Sequence, residues 1–410
     1  MKKLKLFIIL IAMVQISAQA QNPIQEIINN NPDLFKAVLE DPNHKEVQII
    51  YTQIDRDHDQ KPHFTTYTYQ VDAKHYFYPA STVKLPTAIF ALEKLNELKV
   101  KGLDKYSTML TDSAFTGQTK VTQDDTAPNG LPSVANYIKK ILLVSDNDAF
   151  NRLYEFTDRA IINQKLKHYG FKNSRIINRL AIGDSGERTR HTNPVNFYNG
   201  EKLVYQKPAA YDANDYPIEL HHLIRGKAYL NNEDKLINEP FDFTGMNVFS
   251  LKDQQELMKR LFFPDAFPKS KRFNLTEDDY QFLYKYMSMY PTDSRNPTYT
   301  RPEYYPTYCK FIFYGADPQA LIHPDIKIFN KVGDSYGYAI DNSYIVDQKN
   351  GVEFFLAAVI QSNNDEIYND NHYEYEEICF PFLKNLGQKI YENELKRRKK
   401  YRPDISKLFK

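Results

Sequence analysis

The chain has 410 residues, and 53 Lys+Arg stand against 52 Asp+Glu. So even a balance supplies no global attraction for nucleic acid or an anionic membrane, and the length suits one or two domains with a sizeable core. The two cysteines, Cys309 and Cys379, are too few for a disulfide scaffold, lack the context of a nucleophile, and read as structural.

Residues 1–20 follow the grammar of a secretory signal peptide. Lys2, Lys3 and Lys5 form the basic start, Leu6 to Val14 a short apolar core, and Ala18-Gln19-Ala20 a small-x-small cleavage site. The apolar run is too short to span a bilayer, and no later run is long enough. The expectation is a mature chain from Gln21, exported to the periplasm or beyond, with no membrane span.

Next comes a helix interrupted near Pro32. Val47 to Asp57 and Phe64 to Ala73 alternate apolar and polar residues around a turn-rich DHDQKPH, the mark of an antiparallel hairpin. A helix follows from about Ser81, and the chain stays mostly helical to Asn196. From Phe197 to Pro324 the pattern is irregular, with helices near Leu251 to Leu261 and Glu277 to Tyr290. The Tyr-rich end, Tyr284 to Tyr308, reads as packing for a long insertion, with sugar or peptidoglycan contact as the alternative. Strand character returns in IKIFNKVG, AIDNSYIVD and VEFFLAAVIQS, and a last amphipathic helix runs from about Tyr375 to Lys396.

Strands at both ends and helices between them predict an α+β fold. One antiparallel sheet is built from N- and C-terminal strands (about 21–80 and 324–396) and flanked by helices. A helical part, about 81–323, is inserted between the halves and includes the irregular stretch 197–323.

The helix from Ser81 carries an anomaly. Ala88, Leu92 and Leu95 recur at helical spacing and mark its buried stripe, and stepping back along it reaches Lys84 and then Ser81. A buried amine is costly, but desolvation favours its neutral form, which can take the proton of a serine three residues away. Serine at a helix start also lies near free backbone N–H groups suited to an oxyanion. The plain alternative is a capping serine with a lysine reaching to solvent. Ser145-Asp146-Asn147 follows four apolar residues; taken alone it reads as a helix break or cap. Lys331-Val332-Gly333 ends a strand and can bring a cation and open backbone to an anionic group.

Taken in order, Ser-x-x-Lys, Ser-Asp-Asn and Lys-x-Gly are the three-part signature of the penicillin-recognising active-site-serine superfamily. The chain resembles the class A β-lactamase-like serine hydrolases over most of its length outside the insertion, most strongly at 81–95, 131–153 and 326–360. The resemblance implies Ser81 as the acylated nucleophile, Lys84 as its proton acceptor and Ser145 as the relay to the leaving nitrogen. Asn147 would contact the substrate amide, Lys331 and Gly333 would help seat the substrate carboxylate, and the oxyanion hole would use N–H groups of Ser81 and of Ser335 or a neighbour.

The chain departs from the family in three places. The Glu-x-x-Leu-Asn loop that activates the deacylating water is missing; the corresponding stretch, 179–194, offers Asp184 and Glu187, for which loop salt bridges are the readier role. Val332 replaces a hydroxyl residue, and the insertion before the third motif is long. The expected activity is opening of a β-lactam amide through an acyl-enzyme. The alternatives are a D-Ala-D-Ala peptidase or esterase with slow β-lactam turnover, or a non-catalytic module binding a cell-wall ligand. No His/Cys pattern has metal-ligand spacing, and no phosphate loop follows a strand, so neither metal nor cofactor is expected and the partner is a small-molecule or peptide substrate.

Overall fold

The computed structural model describes residues 22–409; the expected signal segment lies outside them. Helix α1 (Pro23–Asn30) is capped by the Asn22 side chain and stops before Pro32, which has no N–H to continue it. Strands β1 (Gln48–Arg56) and β2 (Pro62–Tyr69) pair as the expected hairpin. Asp57 closes their turn by accepting from the N–H groups of Asp59 and Lys61, each at 2.9 Å. Helices α2 (Lys84–Leu98), α3 (Val134–Val144), α4 (Asn147–Thr157) and α5 (Arg159–Tyr169) follow. After an irregular stretch come α6 (Leu251–Phe262) and α7 (Glu277–Ser288). The chain then runs through β3 (Ile326–Ser335), β4 (Tyr338–Asp347) and β5 (Val352–Gln361) into α8 (Phe380–Lys396).

The sheet runs β3-β4-β5-β1-β2 with every neighbouring pair antiparallel, so strands from the two ends of the chain meet at β5 and β1. Period-2 alternation divides β5 between two cores. Phe354, Leu356, Ala358 and Ile360 face α1 and α8, while Phe355 joins the core built on α2 to α7. Because both faces are covered, β5 is buried along its whole length and reads as one apolar run.

Within the helical part, the stretch read as irregular takes a definite form between residues 195 and 249. That stretch is a set of short paired strands: Val195–Asn199 lies between Thr108–Thr111 and Lys202–Lys207, and Ile224–Arg225 pairs with Phe241–Asp242. Strands of two to six residues are too short to display a period. The Tyr-rich end divides between two tasks. Tyr284 stacks on Phe262 at 4.7 Å in the core, whereas Tyr299, Tyr304 and Tyr308 form an edge-to-face series with centroids 4.9 and 5.2 Å apart. Cys309 and Cys379 are both buried and unpaired, in keeping with a structural role.

Candidate active site

Ser81 sits in a 3-10 turn, Ala80–Val83, that leads directly into α2. The turn is entered through Ala80 at φ 45°, a left-handed backbone that costs a non-glycine residue energy and is retained only where the surroundings impose it. Those surroundings are aromatic. Tyr78 meets Tyr336 edge-on at 4.9 Å, and Phe243, fully buried, packs on Tyr76, Tyr78 and Tyr336. The short strands of 195–249 thus brace the segment that carries the serine.

Lys84 opens α2 and is fully buried on its inner face. Its Nζ lies 2.7 Å from Asn147 Oδ1, 3.2 Å from Ser145 Oγ, and also meets the Ser145 carbonyl. Burial, then repulsion from Lys331, holds the amine well below the usual lysine range, while Asp146 and Asp334 pull it upward. A lysine tuned this way loses its proton more readily than an exposed one, which suits it to act as a proton acceptor. Among the described residues the Ser81 hydroxyl has no hydrogen-bond partner, which leaves it free for a reacting carbonyl.

The Ser-Asp-Asn stretch is both a helix break and a site. Ser145 ends α3 at φ 60°, its N–H donating to Ile141 O. Asp146 caps α4, its carboxylate accepting from Ala149 N at 2.7 Å. The break turns Ser145 and Asn147 back toward Lys84.

Strand β3 is the edge of the sheet and packs on the Ser81 turn. Lys331 Nζ donates to Ser145 Oγ at 2.9 Å and to the Val332 carbonyl at 2.8 Å, so one hydroxyl is held between two amines. Burial brings Lys331 down to about 8, with Cys309 and Asp334 opposing that fall. Gly333 presses on the serine itself: a Cβ there would stand 2.8 Å from Ser81 N and 3.0 Å from Thr82 N. Only glycine permits this approach. Ser335 ends β3, and Tyr336 and Gly337, both left-handed, make the two-residue turn into β4.

The two carboxylates of the 179–194 loop are not brought to this cluster. Asp184 is buried and accepts from Arg179 N and Nη1, both at 2.9 Å, closing the loop on itself. Glu187 is exposed and stands 3.5 Å from His191 Nε2 and 3.9 Å from Arg190. Both line a cleft with Arg159, Arg175 and Tyr216, to which Ser81, Lys84 and Ser145 do not contribute. Asp184 thus closes the loop through Arg179, the readier role in the sequence reading.

One residue the motif pattern passed over stands out. Asp334, between Gly333 and Ser335, is exposed yet crowded by protein, and desolvation raises its carboxyl above the usual range against the pull of Lys331 and Lys84. An acid directly beyond Lys-x-Gly was the available signal.

The fold and this cluster define a serine hydrolase of the penicillin-recognising kind. Residues 33–393 match the model of the β-lactamase enzyme family, and the chain belongs to that family. Its substrates are accordingly small molecules, and among the described residues no helix is long and apolar enough to cross a membrane. The chain is also similar to solved structures at low identity. PBP-A shares 16% identity, over 91% of this chain and 97% of that one, with a TM-score of 0.46. A β-lactamase from Xanthomonas campestris shares 12%, over 90% and 98%, at 0.49. The β-lactamase from Streptomyces albus G shares 12%, over 88% and 98%, at 0.47. No curated protein matches the chain.

Proposed function

We propose that the chain is an exported active-site-serine hydrolase of class A β-lactamase type, opening a β-lactam amide through an acyl-enzyme on Ser81. The observation that carries the reading is the Ser145 hydroxyl held between Lys84, three residues after Ser81 on the turn that opens α2, and Lys331. Neutral Lys84 takes the Ser81 proton, through Ser145 or directly, as Ser81 Oγ bonds the carbonyl carbon. The C–N bond then breaks with its electron pair on nitrogen, and nitrogen receives a proton from Ser145, which Lys84 replenishes. Water cleaves the resulting ester, releasing the acid and restoring Ser81. The N–H groups of Ser81 and of the strand beyond Gly333, at Asp334 or Ser335, hold the developing oxyanion. Asn147, with Oδ1 on Lys84, offers its N–H₂ to the substrate amide.

A second reading is favoured by Asp184 being engaged by Arg179 and by Val332 lying in the core without a hydroxyl. With no loop carboxylate to activate water, the ester persists, and the protein works as a D-Ala-D-Ala peptidase or esterase with slow β-lactam turnover. Incubation with a fluorescent penicillin, followed by gel and intact mass, separates the two. Hydrolysed drug without adduct supports the β-lactamase, and a stable adduct supports the slow enzyme. Neither adduct nor turnover, with penicillin binding unchanged by Ser81→Ala, leaves only a non-catalytic binding module. Export through residues 1–20 belongs to the proposal, and N-terminal sequencing of periplasmic protein should begin at Gln21.

A further inference from the structure

The cleft lined by the 184–190 loop takes no part in the serine chemistry. It measures about 690 Å³, a size common among small-molecule sites, and its other walls are the segments 215–217 and 242–246 and residues Arg159 and Arg175. Three polar side chains of the lining, Arg159, Asn178 and Asp184, are only 3%, 6% and 9% exposed. Each keeps an atom with no hydrogen-bond partner among the described residues: Arg159 Nε, Asn178 Oδ1 and Asp184 Oδ1. Buried polar groups are rarely left unpaired, and one spare donor with two spare acceptors suits a ligand that carries both kinds of group.

The charges of the lining are sorted by burial. Arg159 and Arg175 meet on one tyrosine: the Arg159 guanidinium lies over the Tyr216 ring at 5.1 Å, and Arg175 Nη1 donates to the Tyr216 carbonyl at 3.0 Å. Arg159 pairs with Asp212 at 2.6 Å, while Arg175 donates only to the carbonyls of Tyr216, Thr244 and Met246 and forms no ion pair among the described residues. Two cations therefore share one carboxylate, and a positive charge is left for an anionic group, which a guanidinium binds well. The exposed lining has the opposite sign. Glu187, Asp215 and Asp242 stand there against the single cation Arg190.

We propose that this cleft binds a short zwitterionic peptide, with its carboxylate at Arg159 and Arg175 and its ammonium group toward Glu187, Asp215 and Asp242. The site is separate from Ser81 and does not depend on the chemistry of that serine.

Triglycine tests it against two blocked forms, triglycinamide, which lacks the carboxylate, and N-acetyltriglycine, which lacks the ammonium group. Each is titrated calorimetrically into the full-length protein at neutral pH and low ionic strength, where charge contacts are least screened. Triglycine is expected to bind about tenfold or more tighter than either blocked form. In Glu187→Gln/Asp242→Asn, two exposed positions, its lead over N-acetyltriglycine should shrink severalfold while its lead over the amide remains. In Gly245→Trp the indole should fill the cleft and abolish binding, and the fold need not shift because nothing lies within 4 Å of the Gly245 Cβ position. Absence of triglycine binding to the wild type overturns the site. So does a blocked form that binds as tightly, or a lead over N-acetyltriglycine that the double variant leaves intact. Undiminished binding to Gly245→Trp, shown to be folded by near-ultraviolet circular dichroism, places the peptide elsewhere and overturns it too.

Discussion

At the scale of single residues, the site depends on two amines depressed for the same reason, burial, and used in opposite forms. On the proposed mechanism Lys84 acts neutral, as the base, and Lys331 charged, as the donor to Ser145. Removing the base in Lys84→Ala is expected to slow acylation of Ser81 by about 10²–10⁴-fold, measured by stopped-flow with a chromogenic β-lactam. Unchanged near-ultraviolet circular dichroism would show that the protein remains folded. The pH profile reports the second amine. Lys331 is cationic below about 8 and neutral above it, so acylation should fall as pH rises through about 8. In Lys331→Arg the guanidinium keeps its charge, and the falling limb should move to higher pH.

At the scale of elements, the 3-10 turn with Ser81, the α3–α4 break and the edge strand β3 meet without spare room. Gly333 measures that closeness. The atoms a Cβ would meet are backbone atoms of Ser81, Thr82 and Pro79, which cannot swing aside as a side chain can. Gly333→Ala is therefore expected to cost about 1–3 kcal/mol of stability and to cut acylation more than tenfold, read by thermal denaturation and adduct formation together. Gly245→Ala is the control: nothing lies within 4 Å of its Cβ position and its φ is not left-handed, so both readouts should stay near wild type. The Ser81–Lys84 relation was legible because both belong to one helical period. The Lys331–Ser145 bond spans 186 residues, so no local pattern encodes it, and only the joint order of the three motifs pointed there. Asp334 was missed because the motif was read for its lysine and glycine and then for a hydroxyl further on. The loop salt bridge read as the readier role for Asp184 is what it makes, with an arginine five residues earlier that the sequence did not single out as its partner.

At the scale of the molecule, the antiparallel sheet was readable because its three C-terminal strands are ten residues long and its first hairpin alternates cleanly. The stretch 195–249 was not, since its strands are held by pairing and by aromatic contacts rather than by a face with its own period. Those contacts bind the insertion to the site: Phe243 lies 5.3 Å from Tyr76, 6.2 Å from Tyr78 and 5.4 Å from Tyr336. Phe243→Ala should cost about 3–5 kcal/mol in denaturant unfolding. Because the cavity opens beneath Tyr78 and the Ser81 turn, the fraction still folded should also acylate more slowly. A normal rate in folded protein would separate the insertion from the chemistry.

The central claim is that Ser81 becomes covalently acylated with Lys84 as its base. Time-resolved intact mass with a penicillin, followed by peptide mapping, tests it most directly in wild type, Ser81→Ala and Lys84→Ala. The account predicts one acyl group per chain, on the peptide containing Ser81, absent from Ser81→Ala and strongly delayed in Lys84→Ala. An adduct elsewhere in the chain, or one that forms at the wild-type rate in either variant, would contradict it.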